Sequence, residues 1–395
     1  MTDIRHLQYM VRAIQLAKRG QYTTHPNPRV GCAIVKNGNV IAEGYHRRAG
    51  QPHAEIDALQ NLSESPVGAT AYVTLEPCSH TGRTPPCSDA LVKAGVSEVV
   101  IAMQDPNPRV AGRGIKRLKD AGIKVTSGVL EAESRALNPG FIKRMEQGLP
   151  FVRVKMATSL DGRTALASGE SKWITGESAR KDVQFYRAKC DAILTGIGTV
   201  LADDPSLTVR LTAIELDIEG EVRQPTRVIL DTQLRCPPSA KILSLSGKTL
   251  IYTAVSGSAV MIDEATNKTT IDKAASVTAD KISALVQAGA EVVVVEKDAN
   301  GTISLVEVLK DLANREINEV HTEAGSKLCG NLLEAGLADE LLLYMAPHLL
   351  GSDAMGAFNL PNLTTMQQRI NLKIQDIRAI GDDWRIIAAL EQTQV

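Results

Sequence analysis

The stretches HAE (residues 53–55) and PCSHTGRTPPC (residues 77–87) decide how this sequence is interpreted. The first supplies an imidazole and a carboxylate two positions apart, and the second supplies two thiols. His53, Cys78 and Cys87 are three ligands of the kinds that zinc binds, which leaves the fourth tetrahedral position for water. Glu55 is then free to work beside that water as a general acid/base. The two stretches therefore predict one catalytic zinc ion per chain.

This combination is typical of zinc-dependent deaminases, in which His-x-Glu is followed by Pro-Cys and a second cysteine. Bound zinc lowers the pKa of water to about 7, and a carboxyl group can move its proton to the ring nitrogen and the leaving amine. The spacing departs from the usual Cys-x-x-Cys, because eight residues separate Cys78 from Cys87. Two alternatives stay open: a closed structural zinc site of His53, Cys78, His80 and Cys87, or no metal. Neither gives Glu55 a role.

The motifs between residues 23 and 113 resemble the deaminase half of the bifunctional riboflavin-biosynthesis deaminase/reductases, a family that carries the longer cysteine spacing. They are THPNPRVGCAIV, GYHRRAGQPHAE, TLEPCSHTGRTPPC and MQDPNPRVAGRG. The resemblance implies a cytidine-deaminase-like domain. It also suggests that Arg83 binds the substrate phosphate, while Asn27 and His46 hold the pyrimidine and the water around zinc.

The composition of the 395 residues is that of an ordinary globular protein, with 44% hydrophobic and 23% charged residues. The net charge is −1 and no basic run stands out, which disfavours a nucleic-acid partner. The sequence shows neither a targeting signal nor a membrane-spanning apolar run. The cysteines outside the zinc set are predicted to be reduced and mostly buried thiols of a cytoplasmic protein; they are Cys32, Cys190, Cys236 and Cys329.

Hydrophobic periodicity predicts strands that alternate with helices, and hence an α/β fold in both halves of the chain. We expect a deaminase domain over residues 1–148 and a reductase domain over residues 149–395. Asn37-Gly38 predicts a two-residue hairpin turn. The apolar stretch 291–295 predicts a buried parallel strand. The polar, acidic stretch 211–224 predicts a surface insertion.

The second half has no Gly-x-Gly-x-x-Gly fingerprint after a strand, which makes an ordinary dinucleotide-binding fold a weak interpretation. Two glycine turns, at residues 195–199 and 323–326, follow predicted strands instead. Backbone amides at such turns can hold a phosphate where a helix begins. Most turns of this kind are only turns, so the residues alone leave both interpretations open.

The sequences VKMATSLDGRTALASGESKWIT, LADDPSLTVR and HTEAGS resemble the reductase half of the same family. The resemblance implies a dihydrofolate-reductase-like domain that uses NADPH. The residues that would contact the cofactor are Ala157, Trp173, Thr199, Asp203 and Gly325. The residues that would contact the substrate are Ser171, Arg187, Leu207, Arg210 and Glu323.

Three basic residues of this half have a functional interpretation and a structural one. The guanidinium groups of Arg187 and Arg210 could bind a sugar phosphate, or they could pair with acidic neighbours at the surface. Lys155 could contact the open-chain sugar, or it could face solvent on an edge strand.

These observations predict a cytoplasmic, bifunctional enzyme of riboflavin biosynthesis. Its first domain would remove the ring amino group of a diaminopyrimidinone ribosylamine phosphate by hydrolysis. Its second domain would reduce the ribosyl group to ribityl with NADPH. We expect a homo-oligomer, a dimer or a tetramer. The alternatives are a nucleic-acid base deaminase fused to a second domain, and a non-catalytic zinc module joined to a nucleotide-sensing domain.

Overall fold

The chain divides into two compact units, Met1–Leu149 and Pro150–Val395. The computed structural model describes residues 4–79, 86–108, 110–255, 260–263, 268–271, 273–299 and 301–391. Each unit has its own β-sheet with helices packed against it. The predicted α/β class is confirmed in both.

The elements of the first unit are, in chain order, α1 (Ile4–Lys18), β1 (Gly31–Lys36), β2 (Asn39–Tyr45), α2 (Ala54–Gln60), β3 (Thr70–Val73), α3 (Cys87–Ala94), β4 (Glu98–Ile101), α4 (Arg113–Asp120), β5 (Lys124–Ser127), α5 (Glu131–Leu137) and α6 (Pro139–Gln147). Their five strands lie in the order β2-β1-β3-β4-β5. Strand β1 is antiparallel to both β2 and β3, while β3, β4 and β5 are parallel. Asn37 and Gly38 have positive φ values of 50° and 82° and form the predicted hairpin turn.

Both faces of this sheet are buried, because successive residues of a strand point to opposite sides. Cys32 and Ile34 pack with residues of α2, α3 and α4, whereas Ala33 and Val35 pack with α1. Gly44 on β2 allows α2 to lie directly against the strand, since a Cβ there would be 2.5 Å from the carbonyl oxygen of Ala54. This close packing fixes the start of α2, where the first predicted site lies.

The elements of the second unit are β6 (Phe151–Ser159), β7 (Arg163–Ala165), α7 (Glu177–Lys189), β8 (Ala192–Gly196), α8 (Ile197–Asp203), β9 (Thr226–Leu230), α9 (Lys241–Ser244), β10 (Thr249–Thr253), β11 (Val260–Asp263), β12 (Lys268–Ile271), α10 (Lys273–Gln287), β13 (Ala290–Val294), α11 (Leu305–Asn314), β14 (Glu319–Glu323), α12 (Ser326–Glu334), β15 (Glu340–Ala346), β16 (Met355–Gly356), β17 (Leu372–Ile380) and β18 (Asp383–Leu390). Its large sheet has the strand order β13-β10-β9-β8-β14-β6-β15-β18-β17. The strands from β13 to β15 are parallel, and β18 and β17 add to them in antiparallel fashion.

Three features of the second unit differ from the sequence-based expectations. Strands β17 and β18 were not predicted; β17 is an edge strand with most of its residues exposed, so it shows no alternation of buried and exposed positions. Strand β13 is parallel as expected, but it lies at the other edge of the sheet and its Val294 is 52% exposed. The stretch 211–224 is more than a surface insertion, because Leu211 and Leu216 are buried.

All six cysteines are free thiols, and the four outside the predicted zinc set are buried, as expected. No helix in the described part of the chain is both long enough and apolar enough to cross a membrane.

Candidate active sites

Three predicted zinc ligands meet where two helices of the first unit begin. His53 is the residue immediately before α2, and Cys87 is the first residue of α3. His53 Nδ1 is 3.7 Å from Cys78 Sγ and 3.4 Å from Cys87 Sγ. The three ligand atoms lie within 4.8 Å of one another. One imidazole and two thiols at this separation fit a zinc ion with one coordination position left open.

The electrostatics around Cys78 favour the thiolate, which is the form that binds metal. A hydrogen bond with the Cys87 thiol and a second with His53 lower the pKa of Cys78. The backbone amide of Cys87 also donates to Cys78 Sγ at 3.3 Å. The donor set and its surroundings therefore suit a zinc ion.

Glu55 lies in the first turn of α2 and is 3% exposed. Burial raises the pKa of Glu55 to about 7, an effect that His53 opposes and Cys78 reinforces. Its carboxyl group also shares a hydrogen bond with the Cys87 thiol. A carboxyl group with a pKa near neutrality can both accept and return a proton. This is the property that a general acid/base near neutral pH requires.

Asn27 and His46 are brought to the same place as the zinc ligands. The His46 and His53 rings lie edge to face with their centroids 5.5 Å apart. His46 Nδ1 is 3.0 Å from the carbonyl oxygen of Pro52, which can only accept, so this nitrogen carries the proton. His46 Nε2 can then accept from Asn27 Nδ2 at 3.1 Å. Burial lowers the pKa of His46, which favours the neutral ring.

Glu76 is a supporting residue that the sequence analysis did not identify. Its carboxylate accepts hydrogen bonds from the backbone amides of Asp105 (3.2 Å), Gly112 (2.9 Å), Gly114 (2.9 Å) and Ile115 (3.1 Å). These bonds join the start of α4 and the loop before it to the segment that carries Cys78. The motif MQDPNPRVAGRG covers this loop, but the connection of the loop to Glu76 becomes visible only in the fold. Arg83 and His80 lie outside the described residues.

The second unit contains a cavity of about 1470 Å³. It opens beside the carboxyl ends of the parallel strands β6, β8 and β14, the edge where ligands bind in open α/β sheets. All eleven predicted residues of this half line it: Lys155, Ala157, Ser171, Trp173, Arg187, Thr199, Asp203, Leu207, Arg210, Glu323 and Gly325. The cavity is large enough for a dinucleotide together with a small substrate.

The guanidinium group of Arg187 donates hydrogen bonds to other groups of the protein. Its Nε and Nη2 donate to the two carboxylate oxygens of Glu323 at 2.6 and 2.8 Å, and its Nη1 donates to the carbonyl oxygen of Thr208 at 3.0 Å. Although burial opposes it, the Arg187 charge holds the pKa of Glu323 well below its usual range. The acidic partner considered in the sequence analysis is therefore present, but the pair is mostly enclosed by the cavity wall instead of lying at the surface.

Arg210 differs from Arg187 because it is exposed and no described residue pairs with its guanidinium group. Lys155 extends from β6, and burial lowers its pKa while Glu323 opposes that effect. A cavity lined by an unpaired guanidinium, a lysine and a carboxylate can bind an anion and polar hydroxyl groups at once.

Two predicted cofactor residues lie at the mouth of the cavity. Lys172 Nζ is 3.2 Å from Asp203 Oδ1. Trp173 is 70% exposed, and the Arg180 guanidinium lies over its ring, with Cζ 4.6 Å from the ring centroid. Residues that the sequence analysis did not predict also line the cavity, among them Arg180, Gln184, Arg235, Thr302 and Ser304. Their residue types are common on surfaces, so nothing in the sequence distinguishes them.

Two family models match the chain, one in each unit. Residues 4–103 match the cytidine and deoxycytidylate deaminase zinc-binding region, and residues 150–386 match the RibD C-terminal domain. The riboflavin biosynthesis protein RibD of Escherichia coli is 47% identical over 380 residues, which cover 95% of this chain and 96% of the relative. The protein of the same name from Haemophilus influenzae is 46% identical over 383 residues, covering 96% and 95%.

Solved structures give the same result over the whole length. Acinetobacter baumannii RibD, form 1, matches with a TM-score of 0.84 and 44% identity, covering 98% of this chain and 99% of that one. The diaminohydroxyphosphoribosylaminopyrimidine deaminase/5-amino-6-(5-phosphoribosylamino)uracil reductase of Thermotoga maritima matches with a TM-score of 0.79 and 32% identity, with the same coverage.

Proposed function

The chain belongs to the RibD family of bifunctional deaminase/reductases of riboflavin biosynthesis, and from that premise we propose which residues carry each activity. Deamination is assigned to residues 1–148 and reduction to residues 149–395. The observation that carries the proposal is that each unit has its own chemically distinct site: a zinc-ligand cluster with a buried carboxyl group in one, a large cavity in the other.

In the deaminase site, His53 Nδ1, Cys78 Sγ and Cys87 Sγ would hold zinc. When bound, zinc is a Lewis acid that makes water nucleophilic near neutral pH. Glu55 takes a proton from the water and passes it to the ring nitrogen, and then moves the second proton, from the hydroxyl group added to the ring carbon, to the departing amine. A C–O bond forms, the C–N bond breaks, and ammonia leaves. Asn27 and His46 orient the pyrimidine, and Arg83 binds its phosphate.

The substrate of this step is the 2,5-diamino-6-ribosylamino-pyrimidinone 5′-phosphate that the resemblance implies. The name of the Thermotoga maritima relative supports that assignment, because it specifies a phosphoribosylamino-pyrimidine deaminase and a uracil reductase. The deaminated product is the substrate of the second site.

When bound in the reductase site, NADPH would supply the hydride and solvent the proton that together convert the ribosyl group to ribityl. The cofactor would lie against Ala157, Trp173, Thr199, Asp203 and Gly325. Arg210 would bind the substrate phosphate, since its guanidinium group has no described protein partner. The other substrate contacts are Lys155, Ser171, Arg187, Leu207 and Glu323, of which Lys155 and Glu323 would contact the open-chain sugar. Arg187 would act by holding the Glu323 carboxylate in place.

A homo-oligomer, a dimer or a tetramer, is proposed as the working form. It is supported by apolar side chains exposed on the last two strands of the large sheet, namely Leu372, Ile374, Ile377 and Trp384. A second copy that covers this face would remove them from water. Light scattering of the native chain and of the double variant Ile374→Lys/Ile377→Lys should show loss of the oligomer in the variant.

A cytoplasmic location is supported by the six free cysteines.

Product masses test the proposed function. Protein loaded with zinc is incubated with the diaminopyrimidinone ribosylamine phosphate, with and without NADPH. We expect only the deaminated compound and ammonia without NADPH, and the deaminated, reduced compound with it. Absence of ammonia from the metal-loaded enzyme would refute the deaminase assignment, and a product that is never reduced would refute the reductase assignment.

A further inference from the structure

Three consecutive residues, Thr208 to Arg210, of which Arg210 lines the cavity, are held by side chains instead of by a neighbouring strand. The Thr208 carbonyl accepts from Arg187 Nη1, and the Arg210 amide donates to Gln184 Oε1 at 3.1 Å. Between them, the Val209 amide donates to Gln224 Oε1 at 2.9 Å, and the Val209 carbonyl accepts from Gln224 Nε2 at 3.1 Å. Four successive polar backbone groups are therefore satisfied by three side chains.

Gln224 is the residue that takes the place of a strand in this arrangement. Its amide group accepts from one backbone group of Val209 and donates to the other, as a peptide group in a paired strand would. Val209 is buried, so water cannot replace these bonds easily. Gln224 ends the stretch 211–224, and its neighbour Arg223 donates to the carbonyl oxygen of Cys190. This end of the stretch is therefore fixed to the core of the unit.

The position of Arg210 depends on its backbone. No described residue bonds its guanidinium group, so no side-chain contact of its own directs it into the cavity. If residues 208–210 shifted by one position, Val209 or Leu211 would occupy the place of Arg210. Gln224 itself does not line the cavity, so it can affect a ligand there only through the segment that it holds.

We infer that Gln224 is a positioning residue for the reductase reaction: it sets the register of residues 208–210 and thereby presents Arg210 to the phosphate of the substrate. The inference rests on the proposed function, in which Arg210 binds that phosphate. It gives the stretch 211–224 a role, because this stretch places the glutamine beside Val209.

The test compares two substrates in the full-length, NADPH-supplied enzyme. The variants are Gln224→Leu, which removes both amide contacts at similar size, and Gln224→Glu, which keeps the acceptor and loses the donor. Glu221→Gln is the matched control, an exposed residue of the same stretch. NADPH absorbance gives KM and kcat for the deaminated phosphorylated substrate and for its phosphate-free analogue. Thermal melting shows that each variant is folded.

We expect Gln224→Leu to raise KM for the phosphorylated substrate about 10-fold, with kcat nearly unchanged, because a charged hydrogen-bonding contact is weakened. KM for the phosphate-free analogue should not change, and Gln224→Glu should give a smaller effect in the same direction. In an Arg210→Ala background, Gln224→Leu should add nothing, since two residues that act through one contact are not additive.

Other outcomes overturn the inference in distinguishable ways. An unchanged KM in both folded Gln224 variants, or an equal rise for both substrates, would show that Gln224 has only a structural role. A full additional effect in the Arg210→Ala background would show the same. If Arg210→Ala itself left KM for the phosphorylated substrate unchanged, the proposed phosphate site would fail as well. If Arg210→Ala raised KM and Gln224→Leu did not, only the inference about Gln224 would fail.

Discussion

The zinc-ligand cluster of the first unit and the cavity of the second unit are recognisable for different reasons. The cluster consists of His53, Cys78 and Cys87, three residues of uncommon chemistry that come from two nearby stretches. The cavity collects its predicted residues from across the second unit, between Lys155 and Gly325. Most of them are ordinary residue types. Zinc ligands can therefore be identified in the sequence by residue type and spacing, whereas the residues of a binding cavity are identified only once the fold is known.

The largest effect is expected from a substitution that removes one ligand of the zinc cluster. Cys87→Ser should abolish tight zinc binding and with it the deamination, because three protein ligands are the minimum that catalytic zinc sites use. Elemental analysis and an ammonia assay measure both. Cys32→Ala, which changes another buried cysteine of the same unit, is the control and should retain zinc. If the Cys87 variant retained its full zinc content, other residues would have to be the zinc ligands. The cluster of His53, Cys78 and Cys87 would then not be the metal site.

The next largest effect is expected from a substitution that impairs the deamination step but leaves zinc binding intact. Glu55→Gln should keep zinc but lower the deamination rate about 10²–10⁴-fold, because an amide cannot accept and return a proton. The control is Glu43→Gln, a surface carboxylate paired with Arg12. The deaminase mechanism would have to be reassigned if ammonia release from the Glu55 variant stayed close to normal.

A smaller effect is expected in the cavity, where many contacts share the binding. Arg210→Ala should weaken substrate binding by roughly 1.5–3 kcal/mol, the contribution of a hydrogen bond to a charged group. The readout is KM for the deaminated substrate, followed by NADPH absorbance. Arg369→Ala is a control, because Arg369 is an exposed arginine that does not line the cavity. Equal KM values for both variants would exclude Arg210 as the phosphate ligand.

The smallest effect concerns the support of the metal cluster. Glu76→Gln replaces a carboxylate that accepts four backbone hydrogen bonds with an amide that has only one acceptor oxygen. We expect the free energy of unfolding of the first unit to fall by about 1.5 kcal/mol. Denaturation followed by zinc release would detect this change. An unaltered midpoint would mean that the loop before α4 is held by other contacts.

Sequence reasoning predicted what depends on local chemistry. The turn at Asn37-Gly38 needs two residues with positive φ, and the ligands at His53 and Cys87 lie where helices begin. The α/β class followed from the alternation of apolar stretches. Each of these features is determined by residues that are close together in the sequence, so it can be predicted without knowledge of the fold.

The remaining features depend on residues that are far apart in the chain. Glu76 binds amides 29 to 39 positions away, and Arg187 pairs with Glu323 across 136 positions. Gln224 looks like part of an acidic surface stretch until the fold sets it beside Val209. Strand β17 was not predicted because it is an edge strand whose residues are mostly exposed, so it lacks the alternation of buried and exposed positions by which interior strands are recognised.

The central claim is that one chain carries two chemically independent sites, and a two-by-two set of assays tests it most directly. Glu55→Gln and Arg210→Ala are each assayed for ammonia release from the diamino substrate and for NADPH oxidation with the deaminated substrate. Glu55→Gln should lose only the first activity, and Arg210→Ala should be impaired only in the second. Loss of both activities in Glu55→Gln, with zinc content and fold intact, would contradict the two-site account and require a single shared site.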